Sequence, residues 1–522
     1  MSARCRQRQG GGNSLEGAHI IFDVIIAGGG VNGCGIARDA AGRGISVLLA
    51  EQGDLAEGTS SRSTKLVHGG LRYLEQFEFR LVHEALTERE VLWNLAPHII
   101  HPLRFVLPHH DGLRPAWMLR LGLFLYDHIG GRRKLPATRV LDLATDAAGK
   151  ALKPQYRKAF EYSDLWVDDA RLVALNARDA ADRGAEIRTR CRIESARRED
   201  GIWHVGLCDT RTGAREQARA HVLINATGSW ADRFAQGPLA EPQRKRIRLV
   251  QGSHIIVPRL FDHDRCYIFQ NGDGRIFFAI PYESEFTLIG TTDRDFAGDP
   301  ASVSISDEEV AYLCAGANDY FRTPLTPDDV AWAYSGVRSL FEEGEGKPQD
   351  ATRDYVLERQ GEAGEAALIN IFGGKITTYR RLSEEVLEIV CDVLGRDDLP
   401  WTHAGTLPGG DLGREGFAGL VARLERYFPF LEPELATRLA HGYGTQAFRV
   451  LDDARSEADL GQPFGHGLFE REVRYLVERE WAMTAEDILW RRSKLGLRFN
   501  EQQAEVLSTF VTELSSPAKG SR

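Results

Sequence analysis

The stretch DVIIAGGGVNGCGIARDAAGRGISVLLAE, residues 23–51, decides the fold of the first part of the chain. It overlaps an apolar, β-branched run, FDVIIA (22–27), which is typical of a strand that is buried on both faces. GGGVNG follows and matches the pattern G-x-G-x-x-G, and CGIARDAAGRG then predicts a helix of small residues that ends in glycines. The last part, ISVLLAE (45–51), is a second apolar run. This order of strand, glycine turn, helix and strand predicts a Rossmann-like unit.

The glycine turn predicts a site for the pyrophosphate of a dinucleotide, bound at the positive end of the helix. Gly28 permits the tight turn, Gly30 lets a pyrophosphate approach the backbone, and Gly33 lets the helix pack closely on the strand. Asn32, inside the motif, is included among the predicted contacts. Glu51 ends the second strand, where a carboxylate can accept hydrogen bonds from both ribose hydroxyls. This unit alone does not decide between FAD and a nicotinamide cofactor.

The next stretch, GTSSRSTKLVHGGLRYLE (58–75), favours FAD. A nicotinamide enzyme usually continues into another strand–helix repeat, whereas this chain enters a loop rich in hydroxyls and cations. Hydroxyls and backbone N–H groups suit phosphate contacts, and the paired glycines would let the backbone lie against a flat ring. The cofactor contacts predicted in this stretch are Thr59, Ser60, Ser61, His68 and Gly69.

Two later glycine turns support a flavin site. VLINATGSWADR (222–233) predicts a strand that ends in a tight exit at Gly228. LINIFGGKITTYRRLSEEVLEIV (368–390) predicts a strand, a turn at Gly374 and a helix that starts near Thr377, which suits the pyrimidine end of a flavin. Each turn alone could be an ordinary strand–helix joint, but three such turns in one chain favour a shared cofactor site.

A strand-rich region lies between these turns and predicts an antiparallel substrate platform. Its strands are RLVQGSHIIVP (248–258), RIFFAIPYE (275–283) and TLIGTTD (287–293). Several cations gathered in one place would suit a small phosphate or carboxylate substrate, although each one alone could be a surface ion-pair partner. The candidate site residues are Arg72, Tyr73, His254, Arg338, Arg353 and Lys375.

The predicted fold class is α/β, or mixed α+β, with three parts. Residues 1–20 form a flexible arm, and residues 21–395 form a discontinuous FAD-binding domain with substrate-binding insertions around 100–160 and 245–340. Residues 396–522 have helical apolar spacing and predict an all-helical C-terminal domain. Within it, Arg491, Arg492 and Lys494 are interpreted as a solvated face in preference to a contact with another domain.

Charge and cysteine usage exclude several classes of protein. The chain has 522 residues and a net charge of −10, which argues against a nucleic-acid partner. Its 7 cysteines are scattered without CxxC spacing, so a disulfide framework or a metal site is not expected. One segment, PAWMLRLGLFLYDHIGGRRK (115–134), predicts either an interfacial helix on an anionic membrane or a packed helix with a basic end.

Taken together, the sequence stretches quoted above resemble those of the FAD-dependent glycerol-3-phosphate dehydrogenases, and the resemblance extends from about residue 22 to residue 496. The resemblance implies oxidation of sn-glycerol 3-phosphate to dihydroxyacetone phosphate, with hydride transfer from C2 to flavin N5. It also implies that electrons pass to a membrane quinone. The protein would then be a cytoplasmic homodimer, attached peripherally to the inner face of the cell membrane.

The resemblance also assigns roles to the candidate residues. Four of them fall on positions expected to hold the substrate phosphate: Arg72, Tyr73, Arg353 and Lys375. His254 and Arg338 fall near the carbon that is oxidised, with His254 as the base and Arg338 stabilising developing negative charge. Three alternatives stay open: an oxygen-using glycerol-3-phosphate oxidase, a related amine- or amino-acid-oxidising flavoenzyme, and a catalytically silent flavoprotein scaffold.

Overall fold

The computed structural model describes residues 21–71, 74, 78–130, 134–241, 247–341, 354–361 and 365–515. The predicted arm, residues 1–20, lies outside the described residues. The strands are β1 (Ile21–Ala27), β2 (Val47–Ala50), β3 (Leu66–Val67), β4 (Ile100–His109), β5 (Arg139–Asp142), β6 (Lys158–Val167), β7 (Glu186–Arg188), β8 (Cys191–Glu199), β9 (Ile202–Asp209), β10 (Arg215–Asn225), β11 (Ile247–Pro258), β12 (Cys266–Gln270), β13 (Ile276–Tyr282), β14 (Phe286–Gly290), β15 (Arg294–Asp295), β16 (Trp332–Phe341), β17 (Val356–Gln360), β18 (Ala367–Phe372), β19 (Pro463–Gly465) and β20 (Leu468–Phe469). The α-helices are α1 (Val31–Gly42), α2 (Phe79–Leu95), α3 (Ala116–Ile129), α4 (Asp169–Asp182), α5 (Ala231–Gln236), α6 (Asp307–Tyr320), α7 (Tyr379–Leu394), α8 (Gly416–Tyr427), α9 (Pro433–Tyr443), α10 (Ala447–Leu451), α11 (Glu470–Glu480) and α12 (Glu501–Ser515).

The first sheet has a parallel centre, in the order β18-β10-β1-β2-β7. β17 adds an antiparallel edge next to β18, and β9 pairs antiparallel with β10 and β8. Helices α4 and α7 pack against α1 beside this sheet. Because the central strands are parallel, their carboxyl ends share one edge. The glycine turns that follow β1, β10 and β18 therefore meet there.

The second sheet runs in the order β15-β11-β14-β13-β12-β4-β6-β3, with β16 beside β11 and β5 beside β6. Its pairings are antiparallel except the short contact between β12 and β4. The antiparallel platform predicted from the sequence is thus present. β11 places His254 opposite Gly290 of β14 and Tyr334 of β16, so the candidate base lies within the sheet.

The C-terminal region is helical, with its own apolar core and one short hairpin formed by β19 and β20. The predicted mixed class with a helical C-terminal domain is confirmed. The interpretation of Arg491, Arg492 and Lys494 as a solvated face is wrong, since all three are buried. The two arginines pair with Asp54 and the lysine pairs with Asp168, both in the predicted FAD-binding region. These carboxylates hold the cations at the joint between the domains.

Helix α3 is unusual because most of its apolar side chains face outward. Only Leu123 and Tyr126 are buried, whereas Trp117, Leu121 and Phe124 are more than half exposed. None of the helices in the described part of the chain is both long and apolar enough to span a bilayer.

Candidate active site

A cavity of about 890 Å³ lies where the two sheets meet and is lined by residues of both. Most of the predicted cofactor contacts line it: Gly28, Gly30, Asn32, Glu51, Thr59, Ser60, His68, Gly228, Gly374 and Thr377. His254, Arg338 and Lys375 line the same cavity, so the candidate catalytic groups and the glycine turns meet. Gly33, Ser61 and Gly69 lie behind the wall. The predicted contacts Arg72, Tyr73 and Arg353 lie outside the described residues.

The glycine turn between β1 and α1 has no room for side chains. Gly28 has φ of 110°, and a Cβ there would lie 2.6 Å from the carbonyl oxygen of Ala226. A Cβ on Gly33 would overlap the carbonyl oxygen of Gly28, so Gly33 acts by allowing the helix to approach the strand. The backbone of the turn is therefore exposed to the cavity at the first residues of α1.

Glu51 closes the next strand and is fixed by backbone donors on both oxygens. Its Oε2 accepts a hydrogen bond of 2.6 Å from the Gly29 N–H, and its Oε1 accepts one of 2.7 Å from the Gly53 N–H. Burial raises the pKa of this carboxyl, although both backbone bonds oppose the rise. A carboxylate accepts several hydrogen bonds, so Glu51 keeps acceptor capacity for ribose hydroxyls in the cavity.

The hydroxyl-rich loop is anchored to both sheets. Ser60 Oγ accepts from the Val31 N–H at 3.0 Å, at the start of α1. Thr59 Oγ1 and Ser229 Oγ each donate to the Val337 carbonyl at 2.6 Å. Ser61 lies behind the wall, where its carbonyl accepts from the Lys65 ammonium at 3.0 Å. Of the three predicted hydroxyl contacts, Thr59 and Ser60 thus border the cavity and Ser61 supports the loop.

The paired glycines after His68 form a turn that is held from behind. The Gly69 N–H donates to Tyr126 Oη at 2.8 Å, and Tyr126 in turn donates to Asp164 at 2.8 Å. The Gly70 N–H donates to His68 Nδ1 at 3.1 Å. Burial lowers the pKa of His68, which keeps the ring neutral. The bond of Gly69 to Tyr126 therefore fixes the turn from behind, and His68 is the residue of the turn that lines the cavity.

His254 lies on β11 with its ring stacked on Tyr334, the ring centroids 4.8 Å apart. Its Nε2 lies 3.0 Å from Thr64 Oγ1, whereas its Nδ1 has no hydrogen-bond partner among the described residues. Burial, followed by the charges of Lys65 and Arg338, holds the pKa of His254 well below 6.5. The imidazole is therefore neutral at pH 7 and able to accept a proton.

Arg338 lies on β16, close to His254, and its guanidinium is directed by the segment after β14. Its Nη2 donates to the Thr292 carbonyl at 3.2 Å, and its Nη1 lies 3.4 Å from Asp293 Oδ1. About a third of the side chain, 36%, is exposed. A cation and a neutral base thus face one cavity, a pair suited to removing a proton and stabilising the charge that results.

Comparison with known proteins gives matches over both parts of the chain. Residues 23–380 match the family model described as FAD dependent oxidoreductase, and residues 401–519 match the C-terminal domain of alpha-glycerophosphate oxidase. The chain is 51% identical to a glycerol-3-phosphate dehydrogenase of Pseudomonas aeruginosa, with 94% of this chain and 95% of the relative covered. It is 50% identical to a D-erythritol 1-phosphate dehydrogenase of Brucella abortus, with 92% and 96% covered. The FAD complex of a glycerol-3-phosphate dehydrogenase from Bacillus halodurans has a TM-score of 0.74 at 26% identity, with 96% and 97% covered.

The chain belongs to the FAD-dependent oxidoreductase family. The resemblance drawn from the sequence blocks is confirmed by the two family models and by the relatives over nearly the whole chain. The cavity of this family member also fits FAD. Asn32 donates through Nδ2 to the Gly373 carbonyl at 3.3 Å, but its buried Oδ1 has no partner among the described residues. A buried amide oxygen without a donor is expensive, and a bound cofactor could supply that donor.

FAD would be held by the edge where the three glycine turns meet. The backbone N–H groups at the start of α1 suit the pyrophosphate, and Glu51 suits the ribose. Thr377 lies between Gly374 and the start of α7 at Tyr379. Gly374 has φ of 99°, a conformation that residues with a side chain rarely adopt. Among the described residues, no group of histidine, cysteine and carboxylate side chains could hold a metal ion.

Two supporting residues of this flavoenzyme were missed by the sequence analysis. Thr64, the partner of His254, was quoted in the loop but was given no role. Glu309 of α6 is buried and accepts hydrogen bonds from Ser253 Oγ at 2.8 Å and Thr292 Oγ1 at 2.6 Å. Glu309 thereby connects Ser253, the neighbour of His254, to Thr292, whose carbonyl accepts a hydrogen bond from Arg338. Ser306 and Glu309 form a capping box at the start of α6, which is a local pattern. The contacts of Glu309 with Ser253 and Thr292 join distant parts of the chain, and no local pattern marks them.

Proposed function

We propose that this protein oxidises sn-glycerol 3-phosphate to dihydroxyacetone phosphate with FAD as the hydride acceptor. The observation that carries the proposal is that His254, Arg338 and Lys375 line the same cavity as the glycine turns. An anionic substrate with a secondary alcohol needs cations for its charge and a neutral base for its hydroxyl proton. The relatives named above act on phosphorylated polyols by their names, which agrees with this chemistry.

The residues of the chain divide the work. Lys375, with Arg72, Tyr73 and Arg353 as the resemblance implies, holds the phosphate through charge-assisted hydrogen bonds. The neutral His254 imidazole accepts the proton of the C2 hydroxyl, and Thr64 Oγ1 fixes the ring from its Nε2 side. Arg338 stabilises the negative charge that develops as the proton leaves. When bound, FAD supplies the acceptor at N5 for the hydride that leaves C2.

The electrons then pass to a membrane quinone, and helix α3 provides the support for a membrane location. Three large apolar side chains of this helix are exposed: Trp117 by 65%, Leu121 by 53% and Phe124 by 56%. An exposed apolar patch of this kind is typical of a surface that contacts a membrane or another protein. Together with the basic segment that follows the helix in the sequence, these side chains suit the surface of an anionic bilayer. A peripheral position on the cytoplasmic face of the cell membrane and a homodimeric state complete the proposal.

The deciding experiment is an anaerobic absorption spectrum of the purified protein before and after adding substrate. We expect a flavin spectrum that bleaches with sn-glycerol 3-phosphate and bleaches far less with D-erythritol 1-phosphate or glycine. Bleaching by the erythritol phosphate alone would keep the mechanism and change the substrate. No bleaching by either phosphate would overturn the proposal.

Oxygen separates the dehydrogenase from the oxidase. In air-saturated buffer we expect little hydrogen peroxide during turnover, and rapid turnover once a soluble quinone analogue is added. Peroxide formed in equal amount to the ketone product would instead make the protein an oxidase.

A further inference from the structure

The cofactor cavity is bordered on the Glu51 side by the loop of residues 52–57. Gln52, Gly53 and Glu57 line the cavity. The Gly53 N–H holds Glu51 Oε1 at 2.7 Å, so the loop backbone sets the position of the predicted ribose acceptor. The Ala56 N–H donates to the Gly29 carbonyl at 3.1 Å, which ties the same loop to the glycine turn.

The back of this loop is held by the C-terminal domain. The Asp54 carboxylate is fully buried and accepts two hydrogen bonds from Arg492, at 2.9 Å to Oδ2 and 2.8 Å to Oδ1. Arg491 Nε adds a third at 2.6 Å. Both arginines belong to the short π-helix Asp487–Arg492, which lies more than 430 residues further along the chain.

A second contact holds the other side of the loop. The backbone N–H of Arg190 donates to the Gly53 carbonyl at 2.9 Å. The Arg190 guanidinium contacts Glu57 at 3.1 Å and Asp487 at 2.8 Å. Burial opposes ionisation of Asp487, yet the charges of Arg491 and Arg190 hold its pKa below the usual range. Loop and C-terminal domain thus share one network of charges, in which Asp54 and Asp487 are fully buried.

Such a network is a costly way to join two domains if stability alone is needed. A buried ion pair recovers little more than its own desolvation, and apolar side chains of similar size would often stabilise as well. What the bidentate pair does provide is a fixed geometry for the Asp54 carboxylate. The other side of the loop that carries Asp54 lines the cofactor cavity.

We infer that Arg491 and Arg492 of the C-terminal domain are positioning residues for FAD. They hold loop 52–57 in the shape that presents Glu51 and Gly53 to the ADP-ribose end of the cofactor. Binding then requires no ordering of the loop, and the entropy lost on binding is smaller. The C-terminal domain is in this sense part of the cofactor site, although none of its described residues lines the cavity.

The test compares how tightly full-length variants hold FAD. Two measurements are made: the fluorescence of the FAD that dissociates on dilution, and the Kd for FAD when it is added back to the apoprotein. For Arg492→Gln and Asp54→Asn we expect FAD affinity to fall about tenfold, as for residues coupled in one contact network. The KM for sn-glycerol 3-phosphate of the FAD-saturated enzyme should not change. Arg491→Gln is a milder form of the same test, because Arg491 contributes a single bond to Asp54.

Arg438→Gln is the matched control. Arg438 also makes a bidentate pair inside the C-terminal domain, at 2.7 Å to each oxygen of Glu472, but it does not contact the loop. We expect it to lower the melting temperature and leave FAD affinity unchanged. The inference is overturned if Arg438→Gln weakens FAD binding as much as Arg492→Gln, or if Asp54→Asn and Arg491→Gln both retain FAD like the wild type. Because the readout is cofactor binding, the result does not depend on which substrate the enzyme oxidises.

Discussion

The imidazole Nε2 of His254 lies 3.0 Å from the hydroxyl of Thr64, although the two residues are 190 positions apart in the chain. Thr64 belongs to the hydroxyl-rich loop that borders the cavity, and His254 belongs to β11 of the second sheet. One contact therefore fixes the candidate base relative to the cofactor loop. Hydride and proton must leave neighbouring atoms of the substrate, so this relative position matters for the reaction.

Replacing His254 should slow the reductive reaction without removing the cofactor. For His254→Asn we expect the rate of flavin reduction by sn-glycerol 3-phosphate to fall about 10²- to 10⁴-fold, the usual contribution of a general base. Stopped-flow absorption under anaerobic conditions measures this rate directly. His263→Asn is the control, because that ring contacts Tyr267 in the same sheet but does not line the cavity. A normal reduction rate in His254→Asn would disprove the base assignment.

The pH profile should reveal the lowered pKa of His254. Burial and the charges of Lys65 and Arg338 disfavour the protonated ring, so the base stays available as pH falls below 6.5. Removing one of these charges in Arg338→Met should move the acidic limb of kcat/KM to higher pH. The ionisation of the substrate phosphate is common to both enzymes and does not affect the comparison. An unmoved limb would mean that another group titrates.

The sequence could predict the cofactor edge because each of its signals is local. A strand followed by glycines can be recognised within a few residues, and the turns at Gly28, Gly228 and Gly374 all line the cavity. The platform strands were likewise visible as short apolar runs. Parallel pairing then brings the turns together, a step that follows from topology and needs no contact between side chains.

The parts that sequence could not give are contacts between distant segments. The basic run at Arg491 is usually a solvated face in a helical domain, and only the fold shows that Asp54 lies against it. The contact between Thr64 and His254 likewise joins two residues that are far apart in the chain. Such pairs leave no periodic pattern, because each partner is specified by its own local structure.

Helix α3 should carry the attachment to lipid. In Trp117→Ser combined with Phe124→Ser, we expect binding to vesicles that contain anionic lipid to fall strongly, since each large side chain contributes about 2 kcal/mol when buried. Co-sedimentation with vesicles measures the bound fraction, and anaerobic flavin bleaching shows that the site is intact. Leu399→Ser is the matched control, because Leu399 is 80% exposed outside this helix. Equal binding by the double variant would assign the lipid contact to another surface.

Glu309 should act on the rate more than on substrate affinity. It holds Ser253 beside His254 and Thr292 beneath Arg338, so Glu309→Gln loosens both groups at once. We expect kcat to fall about tenfold, with KM for sn-glycerol 3-phosphate within a factor of two of the wild type. Glu308→Gln, an exposed neighbour, should leave both constants unchanged. A rise in KM alone would place Glu309 in phosphate binding instead.

Three histidines lie at the joint between β4 and helix α9 of the C-terminal domain. His98 is fully buried, and neither of its ring nitrogens has a hydrogen-bond partner in the described part of the chain. His441 Nδ1 lies 3.1 Å from the His98 carbonyl, and its ring centroid lies 6.0 Å from that of His101. The charged groups that act on this cluster are Arg171, which disfavours protonation of His98, and Asp168, which favours protonation of His441. Protonation of His98 would place a charge on a buried ring that has no hydrogen-bond partner among the described residues.

Acid should therefore destabilise the fold through this cluster. Burial, followed by the charges of Arg171 and His441, lowers the pKa of His98 to about 3, and burial with His441 lowers that of His101 to about 4. Between pH 6.5 and these values the unfolded chain binds protons that the folded chain does not, so stability falls as pH falls. The slope is about 1.4 kcal/mol per pH unit for each histidine. In urea unfolding at pH 7, 6 and 5, His98→Leu should lose one histidine's share of this slope. The exposed-loop variant His403→Leu should keep it, and identical slopes for His98→Leu and the wild type would remove His98 from the explanation.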